Sequence, residues 1–249
     1  MSGHSKWTQI KRKKAATDER RGRLFSKLLR AIEVAAREGG GSVEGNMTLA
    51  SAVEKAREFS VPVDNIERAI KRGTGELEGA KYEEVAYEGY APGGVAVFIE
   101  ALTDNRNRTG QEIRHTFTKL GGSLGDPGST AWMFSRKGVV LVDKDAAPEE
   151  DALLEVVLEA GAEDLRDSES QWEIVTEAGA YKAVQDALSR AGIPVSSAEL
   201  TMVPQATVRV DGAQARQVLS LMEGLEEHED VQAVHANFDI PEEVLAEAG

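Results

Sequence analysis

The chain has no cysteine and no run of about 18 apolar residues. The first absence excludes disulfides, thiolate zinc sites and a cysteine nucleophile, and it fits a reducing compartment. The second excludes a membrane-spanning helix. No apolar segment follows the basic residues near the N-terminus, so a secretory signal is not expected either. We therefore expect a cytoplasmic protein with no membrane partner.

Patterns that indicate catalysis are also scarce. The four histidines lie far apart, and none has a histidine partner four residues away, so no metal site is expected. No Gly-x-Ser-x-Gly elbow occurs, and the glycines of Gly40–Gly45 are not followed by the Lys-Ser/Thr pair that holds a triphosphate. We expect no enzyme and no cofactor. The many carboxylates leave a magnesium-dependent enzyme acting on nucleic acid as a minor alternative.

Positive charge is scarce except at the N-terminus. The formal net charge is −14, and the part from Lys81 to the end carries 32 acidic and 13 basic side chains. The first thirty residues carry ten basic and two acidic side chains, a balance of +8. Because an acidic protein repels nucleic acid on average, this local charge predicts a nucleic-acid-binding element. A solvated leader without a binding role is the alternative.

The basic segment divides into an arm, Lys6–Lys14, and a helix predicted over residues 17–38. Leucine, isoleucine, phenylalanine and alanine side chains fill one arc of that helix, and cations fill the opposite arc. In the arm, Trp7 either stacks on an unpaired base or packs onto the helical region. The predicted nucleic-acid-binding residues here are Lys6, Trp7, Lys11, Arg12, Lys13, Lys14, Arg20, Arg21, Arg23, Lys27 and Arg30.

A second predicted site is the turn Asp104–Arg108, between a strand and a helix. Arg106 and Arg108 add positive charge at a helix N-terminus, where the backbone already favours anions. This combination suits a phosphate or a partner carboxylate. The alternative is a turn that needs only the conformational preferences of Asn and Asp.

Periodicity predicts the architecture. Two more helices follow the first, near residues 48–59 and after Pro62, where Asp64 and Glu67 form a predicted capping pair. Beyond the linker 75–81, residues 85–102 predict a β-hairpin, followed by a helix that a Thr109/Glu112 capping box opens. The pattern of residues 139–203 then predicts the element order βαββαβ, which is that of ferredoxin-like domains, and residues 206–237 predict βαβ. The first ββα and the last βαβ are each too small to form a core, so we expect them to share one sheet.

We therefore predict an α+β protein of three domains. The first is a basic N-terminal arm with a three-helix domain, residues 1–78. The second is a discontinuous ferredoxin-like α/β domain, residues 82–130 and 206–240. The third is a ferredoxin-like βαββαβ domain, residues 131–205, inserted into the second.

Several long motifs resemble those of the YebC/PmpR family. They are Gly3–Trp7, Arg21–Lys27, Gly39–Gly41, Tyr87–Gly94, Thr103–Thr109 and Gly128–Phe134, and the similarity runs from residue 2 to about residue 240. The family's basic motif maps onto Lys6, Trp7, Lys11, Arg12, Lys13, Lys14, Arg21, Arg23 and Lys27. The chain departs from the common pattern at Thr8–Lys13, where relatives have a histidine, so a base-specific role of that histidine is lost.

The resemblance implies a helical domain followed by two ferredoxin-like domains. It also implies a cytoplasmic, DNA-binding transcriptional regulator, the usual description of bacterial members. A mitochondrial relative activates translation of cytochrome c oxidase, and some bacterial relatives are linked to ribosomes stalled at proline-rich sequence. The expected partner is therefore DNA or ribosomal RNA, within the transcription machinery or the ribosome.

Overall fold

The computed structural model describes residues 18–168 and 170–240, with side chains from residue 21 onward. The helices are α1 (Asp18–Gly39), α2 (Met47–Glu58), α3 (Val63–Gly73), α4 (Arg106–Lys119), α5 (Glu150–Glu159), α6 (Tyr181–Arg190) and α7 (Gly212–Glu226). The strands are β1 (Glu83–Ala91), β2 (Val95–Thr103), β3 (Ser123–Leu124), β4 (Phe134–Asp143), β5 (Ala162–Ser168), β6 (Gln171–Glu177), β7 (Ser197–Pro204), β8 (Val208–Arg209), β9 (Val231–Ala236) and β10 (Phe238–Asp239).

The three N-terminal helices pack around one apolar core. The predicted apolar arc of α1 is confirmed, because Leu28, Ile32 and Ala35 are buried against α2 and α3. Glu33 is the buried exception, and its carboxylate accepts hydrogen bonds from Arg37 at 3.3 Å and from Arg72 at 3.0 Å. A buried carboxylate needs such partners, so these contacts help to hold α3 against α1.

Helix α3 does not begin as the sequence predicted. It starts at Val63, one residue after Pro62, and no side chain caps it. The carbonyl of Pro62 accepts hydrogen bonds from the amides of Asn65 and Ile66, so the fixed backbone of proline starts the helix. Asp64 lies inside the first turn. The predicted capping pair of Asp64 and Glu67 was wrong.

The first sheet is antiparallel, with strand order β3-β1-β2-β9. The hairpin of β1 and β2 pairs Glu83 with Thr103 at one end and Ala91 with Val95 at the other. Strand β9 lies antiparallel to β2, with Ile99 opposite Val234, although more than a hundred residues separate them along the chain. The expected pairing of the two distant segments in one sheet is therefore observed.

One strand of that sheet was predicted wrongly. Strand β8 does not join it and pairs instead with β10 in a separate two-stranded sheet. The outer position beside β1 is taken by β3, where Tyr90 lies opposite Ser123. Strand β8 has only two residues before the chain turns at Gly212, which has a φ of +51°, so it is too short to span the sheet.

Helix α4 begins at Arg106, four residues earlier than a cap at Thr109 predicts. Asn105 precedes it, and the side-chain oxygen of Asn105 accepts a hydrogen bond of 3.1 Å from the amide of Arg108. Thr109 lies buried in the first turn and bonds through its hydroxyl group to Thr103 and Asp230. The predicted Thr109/Glu112 capping box was therefore wrong, because Asn105 is the residue that caps the helix.

The second sheet is antiparallel, with strand order β5-β6-β4-β7. Its elements follow one another along the chain as β4, α5, β5, β6, α6 and β7, which is the predicted βαββαβ sequence. Helices α5 and α6 contribute Leu153, Val157, Val184 and Leu188 to a core that also holds Trp172. A three-helix region followed by two antiparallel α/β sheets is thus established.

The described chain divides into two compact units. Residues 132–208 with 237–239 form one unit, and residues 18–131 with 209–236 form the other. The helical region and the first sheet therefore belong to the same unit. The division into three domains at the predicted boundaries stays a prediction. No helix among the described residues is long and apolar enough to cross a membrane.

Candidate nucleic-acid interface

Part of the predicted interface lies outside the described residues. This holds for Lys6, Trp7, Lys11, Arg12, Lys13 and Lys14, and for the side chain of Arg20. Their predicted roles stay predictions. The described part of the interface begins at Arg21 in the first turns of α1.

The first described cations of α1, Arg21 and Arg23, make their contacts at the exposed surface of the helix. Arg21 is exposed, and its guanidinium lies 5.4 Å from the centre of the Phe25 ring. Arg23 lies 3.8 Å from the carboxylate of Glu227, and both side chains are substantially exposed to water. An exposed ion pair of this kind contributes about 0–1 kcal/mol, so a phosphate can replace Glu227 with little loss.

The cations further along α1 bind the last residue of α7, the segment that follows it and strand β2. The Lys27 ammonium donates a hydrogen bond to the backbone carbonyl of Glu226. Arg30 is only 13% exposed and donates through Nη1 to the carbonyls of Leu102 and Glu229, at 3.0 Å each. The carbonyl of Glu226 lies at the end of a helix and carries partial negative charge, which favours the contact with Lys27. The bond from Arg30 to Leu102 joins α1 to the first sheet.

Arg30 and Arg108, which the sequence placed in two separate sites, meet on one buried carboxylate. Arg30 Nη1 lies 2.7 Å from Oδ1 of Asp230, and Arg108 Nη2 lies 2.9 Å from Oδ2. The hydroxyl of Thr109 also donates to Oδ2, at 2.5 Å. A carboxylate of the chain itself thus lies beside Arg108, where the sequence predicted a phosphate or a partner carboxylate.

The electrostatics of this cluster keep Asp230 ionised. Burial alone raises the pKa of Asp230, but hydrogen bonds from Thr109, Arg108 and Arg30 lower it further than burial raises it, to about 2. The pKa of Arg108 is raised, chiefly by its hydrogen bonds to Asp230 and Asp104. The three charges thus form one joint between α1, α4 and the start of β9, which we call the Asp230 joint.

Sequence reasoning missed Asp230. It is one of 43 acidic residues, and no motif or spacing distinguishes it from the others. Only the fold places it beside two arginines that are 78 residues apart in the chain. Arg106, in contrast, stays 65% exposed and lies 3.8 Å from the similarly exposed Glu83, so it remains accessible to an anion.

A cleft of about 550 Å³ opens beside the Asp230 joint. Five carboxylates line it, from Asp104, Glu112, Glu227, Glu229 and Asp230. Its histidine, His228, accepts a hydrogen bond from the Asp230 amide at Nδ1, so Nε2 is the donor to Glu112, at 2.8 Å. So many carboxylates make this cleft a poor site for phosphate.

A second buried carboxylate explains one of the sequence motifs. Glu88 on β1 accepts hydrogen bonds from the amides of Gly128, Thr130 and Ala131, at 2.6, 2.6 and 2.7 Å. Burial raises its pKa, but these hydrogen bonds lower it by more, so the net pKa is lowered. The Tyr90 hydroxyl donates to the Ser129 carbonyl at 3.0 Å. The motif Gly128–Phe134 therefore begins with a loop fastened to the first sheet.

No described part of the chain gathers three or more His, Cys, Asp or Glu side chains in a group that could hold a metal ion. The buried carboxylates of Glu33, Glu88 and Asp230 all accept hydrogen bonds that support the fold. These carboxylates therefore serve the packing of the fold, while Arg21 and Arg106 are exposed cations of the predicted interface.

Comparison with known proteins agrees with this architecture. Residues 5–76 match the family model described as the TACO1/YebC protein N-terminal domain, and residues 82–238 match the TACO1/YebC second and third domain. A protein of Rubrobacter xylanophilus, named a probable transcriptional regulatory protein, is 58% identical over 248 residues, which cover 99% of each chain. One of Natranaerobius thermophilus with the same name is 54% identical over 98% of this chain and 99% of its own.

A solved structure shows the same fold. The crystal structure of a conserved hypothetical protein from Aquifex aeolicus is 49% identical, with a TM-score of 0.81 over 93% of this chain and 96% of that one. The molecule is thus of the class with a three-helix region followed by two antiparallel α/β sheets. The chain belongs to the TACO1/YebC family, which confirms the resemblance seen in its motifs.

Proposed function

We propose that this protein is a DNA-binding regulator of transcription that acts without catalysis. It binds through the basic N-terminal arm and the first turns of α1. The observation that carries the proposal is the division of cations along α1. Arg21 is exposed and Arg23 forms an exposed ion pair with Glu227, whereas Lys27 and Arg30 are bound to the body of the protein.

The helix that follows the arm is anchored to the rest of the protein by Lys27 and Arg30. Lys6, Lys11, Arg12, Lys13 and Lys14 carry five positive charges, and no acidic residue precedes Asp18. These cations bind phosphates and release counterions, which accounts for affinity without base recognition. The Asp230 joint holds the C-terminal half of α1 still, so less ordering is required when the arm binds. Arg106 adds a cation at the first sheet, whereas we assign Arg30 and Arg108 to the joint.

The names of the relatives support the transcriptional form of the proposal, since both of those above are named probable transcriptional regulatory proteins. The charge of the molecule supports contact through one end. The part from Lys81 onward carries 32 acidic and 13 basic side chains, so it repels a polyanion on average. Such a protein makes its main contact with DNA through its N-terminal element.

A binding assay tests the element directly. The double variant Lys11→Glu/Lys13→Glu should weaken binding to all DNA sequences and leave the melting temperature almost unchanged. The matched control is Lys182→Glu/Arg190→Glu, which makes the same charge change on the exposed face of α6. Equal affinity for the wild type and the arm variant would refute the arm as the binding element. A fall in melting temperature would show instead that the arm is part of the fold.

Crosslinking in cells, followed by sequencing of the bound nucleic acid, tests the ligand. Recovery of dispersed promoter DNA would support transcriptional regulation. Recovery of ribosomal RNA alone would overturn transcriptional regulation and favour the alternative hypothesis of a ribosome-associated translation factor, in which the same arm binds RNA. A purified protein that cleaves nucleic acid with magnesium, and loses this activity on a single carboxylate change, would overturn the non-catalytic assignment.

A further inference from the structure

We infer that the groove between α4 and α7 is a second phosphate-binding surface, which contacts the nucleic-acid backbone apart from the N-terminal arm. The inference rests on the proposed function. It starts from the cations in the acidic part of the chain. Six of them form ion pairs with carboxylates: Arg106, Arg108, Lys137, Lys144, Arg166 and Lys182.

Helix α4 carries two cations that differ from these. Arg114 and Lys119 are exposed, and neither forms an ion pair within the described chain. The helix as a whole has four basic residues and one acidic residue, Glu112. In a part of the chain with 32 acidic side chains, a basic helix is unusual and has the charge that a polyanion needs.

The groove beside α4 has a matching lining. It has a volume of about 510 Å³, and its charged lining residues are Lys119 from α4 and Arg216 from α7, with no carboxylate. Gln217 and Ser220 of α7 add polar groups that can donate hydrogen bonds. The cleft at the Asp230 joint, in contrast, has five carboxylates. The two clefts therefore differ in the charge of their lining, and the groove between α4 and α7 is the one without carboxylates.

Helices α4 and α7, which form the two sides of this groove, pack closely against each other. A Cβ atom at Gly224 of α7 would lie 2.8 Å from Leu120 Cδ1 and 3.4 Å from Thr116 Cγ2, so glycine permits the close approach. Lys119 and Arg216, which line the groove, belong to the two helices that this contact brings together. Helical scaffolds hold binding groups more firmly than loops do. All the lining residues except Leu120 are exposed, which suits an extended phosphodiester backbone better than an enclosed small molecule.

Salt dependence of binding tests the inference. Affinities are measured for the full-length chain with a duplex DNA of about 30 base pairs and an RNA hairpin of similar length, over a range of salt concentrations. For duplex DNA, the slope of log affinity against log salt should fall by about 2 in Lys119→Gln/Arg216→Gln, because each lost phosphate contact removes about 0.9. The control Lys182→Gln/Arg190→Gln should keep the wild-type slope. The ligand whose slope falls is the one that this surface contacts.

Photocrosslinking from the groove tests the same inference independently of the salt dependence. Because the chain has no cysteine, Gln217→Cys can carry a single photocrosslinker in the groove. It should crosslink to the nucleic acid, while the same label at Ala183→Cys, exposed on α6, should not. A wild-type slope in Lys119→Gln/Arg216→Gln, with arm variants that still weaken binding, would overturn this inference and leave the proposed function standing. Absence of nucleic-acid binding by the wild type would overturn both.

Discussion

Arg30 of α1 donates a hydrogen bond of 2.7 Å to Asp230, which lies 200 residues further along the chain. Both side chains are largely shielded from water, with 13% and 4% exposure. A pair of this kind stabilises the fold only if the remaining polar atoms are satisfied. That condition is met, because Arg108 and Thr109 bind the second carboxylate oxygen. This carboxylate therefore links the helical region to the first sheet, in addition to the backbone carbonyls that Lys27 and Arg30 bind.

Removal of Asp230 should be strongly destabilising. Asp230→Ala leaves the guanidinium of Arg30 without its carboxylate in a largely buried place, and we expect a loss of about 3–5 kcal/mol in the free energy of unfolding. Asp104→Ala removes only an exposed partner of Arg108 and should cost less than about 1 kcal/mol. Chemical denaturation of both variants measures the difference. Similar losses of unfolding free energy in the two variants would show that the Asp230 joint does not stabilise the fold as expected.

The same carboxylate should make stability depend on acid. The pKa of Asp230 is lowered from 3.8 to about 2 in the folded protein, so its contribution is present above pH 4. That contribution, about 2 kcal/mol, should disappear as the pH falls from 4 towards 2. The difference in unfolding free energy between the wild type and Asp230→Asn should therefore narrow over this range. A difference that stays constant down to pH 2 would contradict the assignment.

Features that depend on neighbouring residues were predicted from the sequence, whereas features that depend on contacts between distant residues were not. The apolar arc of α1 and the βαββαβ alternation of the second sheet follow from periodicity, which a few neighbouring residues determine. The starts of α3 and α4 were predicted at the polar residues Asp64 and Thr109. In the structure α3 begins directly after Pro62, and Asn105 caps α4. Asp230 could not be found, because its role comes from contacts made across 122 and 200 residues. The charge of Arg30 was visible in the sequence, but its burial was not.

Two arginines on α1 should separate binding from stability. Arg21 is exposed, so Arg21→Gln should weaken nucleic-acid binding and change the free energy of unfolding by less than about 0.5 kcal/mol. Arg30→Gln breaks charged hydrogen bonds to Asp230 and to two carbonyls, so it should lose about 2 kcal/mol or more. Each variant is measured by denaturation and by DNA affinity at one salt concentration. If Arg21→Gln destabilised the fold as much as Arg30→Gln, the division of α1 would be wrong.

Glu88 should control the order of the loop before β4. Glu88→Gln replaces a carboxylate that accepts three amide hydrogen bonds with a neutral group that has one acceptor oxygen. The amides of Gly128, Thr130 and Ala131 should then exchange with solvent faster, which hydrogen-exchange NMR or mass spectrometry detects. Glu84→Gln, on the exposed part of the same strand, is the control and should leave these rates unchanged. Unaltered exchange in Glu88→Gln would show that the loop is held by other contacts.

Two glycines of the helical region should respond oppositely to the same substitution. A Cβ atom at Gly73 would lie 2.4 Å from the carbonyl oxygen of Glu33 and 2.7 Å from Cβ of Ala36, so α3 approaches α1 only because this side chain is missing. Gly73→Ala must push the helices apart, and we expect a loss of about 1–3 kcal/mol. Gly22, within α1, has no atom within 4 Å of the added carbon.

Gly22→Ala should instead stabilise the protein by up to about 1 kcal/mol, because alanine favours the helix over the unfolded chain. Thermal and chemical unfolding of the two variants, side by side with the wild type, give the sign of each change. A stabilising Gly73→Ala would mean that α1 and α3 have room to separate without loss. In that case the hydrogen bonds of Arg37 and Arg72 to Glu33, rather than close backbone packing, would be what holds the two helices together.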